Sequence, residues 1–127
     1  MERSVRVTGP LPPARVWERY AVPARWAGWA PQIRRVDASA DRLAPGVTGR
    51  VRGPLGVAVT FVVTDVDEQA RTWAWDVRCG PVRLHLRQGV EADPRGAATW
   101  LVLRGPAPVV VAYLPVARVA LRRLVRP

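Results

Sequence analysis

Few side chains in this 127-residue chain are equipped for proton or group transfer. His85 is its single histidine and Cys79 its single cysteine. An unperturbed imidazole titrates near neutrality, so His85 is the first candidate for acid–base work. Its neighbourhood argues otherwise. Val82, Leu84 and Leu86 alternate with Arg83, His85 and Arg87, which puts His85 on an arginine face directed away from a core. Gly89 in the same run signals a bulge or sharp bend, and a one-residue bulge would turn His85 inward. A thiol nucleophile would need His85 beside Cys79, and nothing in their positions brings them together. Ser4 and Ser39 fall in a first strand and a loop, with no nucleophile elbow. Asp65, Asp67 and Glu68 cluster at a turn, and Asp76 lies among outward arginines, so turn chemistry and surface pairing account for them. No residues carry metal-ligand spacing and there is no phosphate-binding glycine loop, so neither a metal nor another cofactor is expected. No catalytic constellation is visible.

The aromatic residues point to binding. The chain holds six tryptophans. Trp73 and Trp75 share a strand face, Phe61 falls on the matching face of the strand before, and Tyr113 looks at the same space from a C-terminal helix. Pockets for apolar ligands are lined mostly by such residues, with a few polar groups that orient the ligand. The expected wall is Trp29, Val51, Phe61, Trp73, Trp75, Leu86, Gln88, Tyr113 and Ala117. Gln88 is the polar exception on the inner side of its strand, and Tyr113 with the indole N–H groups can hold a polar end. Trp17 and Trp26 read as core.

The elements that must position these residues follow from periodicity. Residues 4–8 alternate as a first strand. Gly9-Pro10 breaks it, and a short helix over 14–21 follows, with Pro13 at its start and Val16, Trp17 and Tyr20 on its apolar side. Pro23 ends it, and a second short helix spans 24–29. Six strands come next, over 33–38, 46–53, 57–66, 71–78, 82–92 and 97–104, joined by short Gly- and Pro-bearing turns that make neighbours antiparallel. Their outer face carries Arg50, Arg52, Arg78, Arg83, Arg87 and Arg104. Residues 106–126 form one amphipathic helix, with Val110, Tyr113, Leu114, Ala117, Leu121, Leu124 and Val125 on the buried side. Arg118, Arg122 and Arg126 form a stripe on another face. Pro115 inside this helix removes a backbone bond and is expected to kink it.

Composition bounds the rest. The length suits one domain over 1–127, and 49% apolar residues suit a folded core. Net charge is +10, and all 20 basic residues are arginine. Such a surplus permits a weak contact with an anionic or membrane surface. The arginine face lacks a stacking platform, which weighs against nucleic acid. One cysteine, no leader-like segment after Met1 and no apolar run longer than 109–117 favour a cytoplasmic setting.

The order of elements, together with particular residues, resembles the START/SRPBCC superfamily, and within it the polyketide cyclase/dehydrase and lipid-transport group. The resembling residues are Pro13-x-x-Val16-Trp17, Trp26-x-x-Trp29 with Pro31, and Leu43-Ala44-Pro45-Gly46. Val63-Thr64-Asp65-Val66-Asp67, Arg71-x-Trp73-x-Trp75 and the strand over 96–103 continue the match. The resemblance implies an α+β helix-grip fold, in which a curved seven-stranded antiparallel sheet with two short N-terminal helices wraps around a long C-terminal helix. It also implies a cavity for a small hydrophobic, lipid- or polyketide-like ligand. An alternative is an aromatase/cyclase-like enzyme in which an inward Arg, Tyr or Gln polarises a carbonyl. A further one is a basic module that uses the Arg118, Arg122 and Arg126 stripe on a membrane or anionic partner. The oligomeric state stays open.

Overall fold

The computed structural model describes residues 1–127. Strand β1 (Glu2–Gly9) opens the chain, followed by helices α1 (Pro13–Ala21) and α2 (Trp26–Trp29), the latter entered through a 3-10 turn at Pro23–Arg25. Then come β2 (Arg35–Ala38), β3 (Thr48–Arg52), β4 (Ala58–Asp67), β5 (Thr72–Cys79), β6 (Val82–Asp93) and β7 (Gly96–Arg104). Helix α3 (Ala107–Leu124) ends the fold. The seven strands make one antiparallel sheet in the order β1-β7-β6-β5-β4-β3-β2. This is the expected helix grip.

Each element forms for a local reason. Pro13 opens α1, where a missing N–H costs nothing, and Val16, Trp17, Tyr20 and Ala21 are its buried side. Pro23 then forces Val22 into extended backbone and turns the chain back, so that α2 places Trp26 and Trp29 under the sheet. The Trp26 indole fixes that reversal by donating to the Tyr20 carbonyl at 2.8 Å. Helix α3 buries Val110, Ala117, Ala120, Leu121 and Leu124. Its C-terminal carbonyls are capped by a residue far away in sequence. The Arg19 guanidinium on α1 donates to the carbonyls of Arg123, Leu124 and Arg126 at 3.1, 3.0 and 2.7 Å. A cation there also complements the negative end of the helix dipole.

One local expectation fails. Gly89 makes no bulge: β6 stays in register with β5 and β7 along its length. Instead the ring of its cross-strand neighbour Trp100 lies over it, and a Cβ at Gly89 would come within 2.5 Å of that indole. His85 therefore stays on the outer face. The register shift lies in β4, between Val63 and Asp65. Pro115 lies inside α3, which runs unbroken from Ala107 to Leu124. The carbonyl it leaves without an N–H belongs to Val111, and both residues are exposed, so solvent can take that acceptor.

Candidate functional site

Between the concave face of the sheet and α3 lies a hollow in two parts. The outer part measures about 340 Å3. Its rim is Pro54 and Val57 from the turn after β3, Cys79 and Val82 around the turn after β5, and Val109 from α3. Val51, Val59, Val77 and Leu84 form its apolar floor. The inner part is about 40 Å3, room for about one water molecule. Trp26, Trp29, Trp73, Gln88, Leu101 and Ala117 wall it. Gln32, Ile33, Trp75, Leu86 and Tyr113 border both parts.

The inner part is small because indoles fill it. Trp73 and Trp75, two residues apart on β5, both point inward, and their rings stack with centroids 4.9 Å apart. Trp26 lies against both, at 5.6 and 5.2 Å. Phe61 closes the cluster from β4, 5.4 Å from Trp26 and 5.6 Å from Trp75. Each such pair contributes roughly 0.5–1.5 kcal/mol beyond its buried area, so the cluster is a rigid inner wall.

Polar groups gather where the two parts meet. Gln32 Nε2 donates to the Tyr113 phenol oxygen at 3.0 Å, which leaves the phenol proton without an acceptor. Burial pushes the Tyr113 phenol above its ordinary range, against a smaller opposing effect of the Gln32 hydrogen bond, so it stays protonated near neutrality. Gln88 Oε1 accepts from the Trp75 indole at 2.8 Å. The Trp73 indole N–H and the Gln32 carbonyl oxygen are buried with no partner in the protein. Buried polar atoms are nearly always paired, so these two are available to a water molecule or a ligand. The junction thus offers a donor from Tyr113 and an acceptor from Gln32, and Trp73, which walls the inner part, holds a further unpaired donor. No arginine, histidine or carboxylate lines either part.

Of the residues expected at the wall, Trp29, Trp73, Gln88 and Ala117 border the inner part and Val51 the outer part, while Trp75, Leu86 and Tyr113 border both. Phe61 borders neither and sits behind Trp26 and Trp75. Trp26 is core, as expected, and also walls the inner part; Gln32, Ile33, Val57, Val109 and the floor residues Val59, Val77 and Leu84 lie outside the expected set. Val109 was legible as the residue one helical turn before Tyr113. Gln32 was not, because it lies in an irregular link after Pro31.

The remaining candidates lie outside the hollow. His85 Nδ1 meets Asp76 Oδ1 across the strands of the outer face. Cys79 is exposed at the cavity rim. The expected outward arginines are all exposed, and an open groove on that face runs past Arg50, Arg52, Arg78, Arg83 and Arg104. Arg78 and Arg83 stand directly opposite each other there. No group of His, Cys, Asp or Glu is arranged to hold a metal ion.

Comparison with known proteins agrees with this geometry. The crystal structure of Ara h 8.0201 superimposes with a TM-score of 0.80 at 15% identity, covering 98% of this chain and 94% of that one. A hypothetical protein, jhp0584 from Helicobacter pylori, gives 0.79 at 15% identity, with coverage of 98% and 84%. The di-domain ARO/CYC BexL of the BE-7585A biosynthetic pathway gives 0.81 at 18% identity, covering 98% of this chain and 45% of that one. At such identities these likenesses establish the fold. No curated protein matches by sequence. The family model described as polyketide cyclase / dehydrase and lipid transport matches residues 1–127, and the chain belongs to that family.

Proposed function

We propose that this protein binds a small hydrophobic molecule bearing a carbonyl or hydroxyl group. The apolar body lies along Val51, Val59, Val77 and Leu84, and the polar end reaches Tyr113, Trp73 and Gln32. One observation carries the reading: an apolar hollow of about 340 Å3 ends at Gln32 and Tyr113, whose amide oxygen and phenol proton have no partner in the protein. That volume is at the lower end of the range for small-molecule sites. The family and the likeness to an ARO/CYC protein support a ligand of lipid or polyketide type.

A second reading, an aromatase/cyclase-like enzyme, rests on Tyr113. Its protonated phenol could polarise a bound carbonyl while the indole wall holds a flexible chain folded. The cavity holds no base, so its contribution would be positioning and hydrogen bonding.

The test begins with native mass spectrometry of purified protein and denaturing extraction of any retained molecule. A retained lipid or aromatic ketone is expected. Titration with the fluorescent apolar probe N-phenylnaphthylamine and with a hydroxylated aromatic ketone follows. Tyr113→Phe and Trp73→Phe are each expected to weaken the ketone about five- to tenfold and leave the probe unchanged, since each removes one hydrogen bond worth about 1 kcal/mol. Val77→Trp, which fills the outer part, is expected to abolish both. Wild-type binding in all three variants would sink the proposal.

A further inference from the structure

The solvent side of α3 is apolar where an exposed helix face is ordinarily charged. Pro108, Val111 and Pro115 lie along one line and Ala112, Val116 and Val119 along the next, all exposed. Val111 is 55% exposed. The helix has no charged residue before Arg118. With Val110, Ala117 and Leu121 buried on the other side, its first three turns are apolar all round, the pattern of a helix covered on every side. A second apolar tip stands nearby. Leu55, at the crest of the turn after β3, is 98% exposed and held at φ +60°, a conformation that disfavours side chains. Pro54, Val57 and Val109 rim the same cavity, so this turn and the start of α3 flank one opening.

Arginines stand behind both tips. Arg52 closes β3 just before the turn, and the Arg34 backbone N–H bonds to its carbonyl. On α3 the exposed lines run on into Arg118, Arg122 and Arg123. The acid beside Arg52 is Asp37, already shared with Arg35.

We propose that this face docks on an anionic lipid bilayer, with Leu55 and the first turns of α3 in the boundary between headgroups and acyl chains and the arginines at the phosphates. The scale fits. Arg118 follows Val111 by about 10 Å of helix. Arg52 is at most about 10 Å of extended chain from Leu55. Interfacial helices bury their apolar side about 5–10 Å deep. A second copy of the chain fits less well. A symmetric contact through α3 would set its arginines against one another or against Val111 and Pro108, and the helix carries no carboxylate to neutralise them. No helix is long and apolar enough to cross a membrane, so the contact is peripheral. Resting on the ligand reading above, the cavity would then open onto the bilayer, and an apolar ligand would pass between them without crossing water.

Flotation with vesicles of phosphatidylcholine and phosphatidylglycerol, against phosphatidylcholine alone, tests this with the full chain. Binding to the anionic vesicles is expected, weakened by salt and lowered roughly fivefold by Arg52→Glu or Arg118→Glu. Leu55→Gly relieves the left-handed strain, so it should fold at least as well, yet lose about tenfold or more in partitioning. Val111→Asp should do the same. No flotation at low salt, flotation indifferent to Leu55→Gly and Val111→Asp, or self-association that Val111→Asp abolishes in a chain that ignores vesicles would each overturn the proposal. N-phenylnaphthylamine binding by the same variants in solution separates the two readings. Variants that lose flotation and keep the probe are the expected result; a wild-type chain that binds the probe but does not float defeats membrane docking, and one that floats but binds no probe defeats the ligand site.

Discussion

At the scale of single residues, Gly89 shows how one sign in a sequence has two physical readings. A glycine inside a strand marks either a bulge or the close approach of another group. Here it is the second, because the Trp100 ring occupies the space a Cβ would need. Gly89→Ala should therefore destabilise the protein by about 1–3 kcal/mol through overpacking. Combined with Trp100→Ala, most of that added cost should vanish in a double-mutant cycle read by urea unfolding. Independent, additive effects would show that the indole is not what excludes the side chain. The β4 bulge had its own sign. Val59, Phe61 and Val63 recur every second residue, but the next inward valine, Val66, comes three later. Spacing was the better guide, since a broken alternation reports the backbone directly and a glycine only permits it to deviate.

At the scale of elements, strands and helices were legible to within a few residues because each buries one regular side. Residues 106–126 were expected as the last helix, and Ala107–Leu124 form it. What could not be read was how elements are tied together. The Arg19 cap joins α1 to the end of α3 across more than a hundred residues, and no local pattern announces it. Pro115 is a different case. Its cost in α3 is real but directed to solvent, so the helix tolerates it. Pro115→Ala restores one backbone hydrogen bond and a better helix former at an exposed position. It should stabilise by about 1–3 kcal/mol, given that an interior proline costs about 3 kcal/mol relative to alanine. Thermal unfolding would then shift up by several degrees. An unchanged or lower midpoint would mean that the proline ring makes a contact the helix needs.

At the scale of the whole molecule, an ion network ties together segments distant in sequence. Arg42, from the loop before β3, reaches Glu18 on α1 and Glu68 after β4 at 2.7–3.0 Å, and Glu68 also accepts from the Trp17 indole. The hydrogen bonds from Arg42 hold both carboxyls below their ordinary value of 4.5. Groups with depressed folded-state pKa values stabilise above that value and stop doing so as pH falls through the folded one. The stability difference between wild type and Arg42→Ala should thus be present at neutral pH and shrink below about pH 4.5. Solvent exposure limits it to about 1 kcal/mol. A difference independent of pH would assign the role of Arg42 to packing. The overall grip and the sidedness of the sheet were legible from order and alternation, and all the expected wall residues but Phe61 border the cavity, though most of its lining was not singled out. The division of the cavity was not, because it depends on which rotamers three indoles adopt together. That same stacking has a spectroscopic consequence. Two indoles face to face at 4.9 Å couple their electronic transitions, so circular dichroism should show a paired positive and negative band. Because Trp75 borders both parts of the hollow, anything that enters should alter that couplet, and occupancy becomes visible without a label.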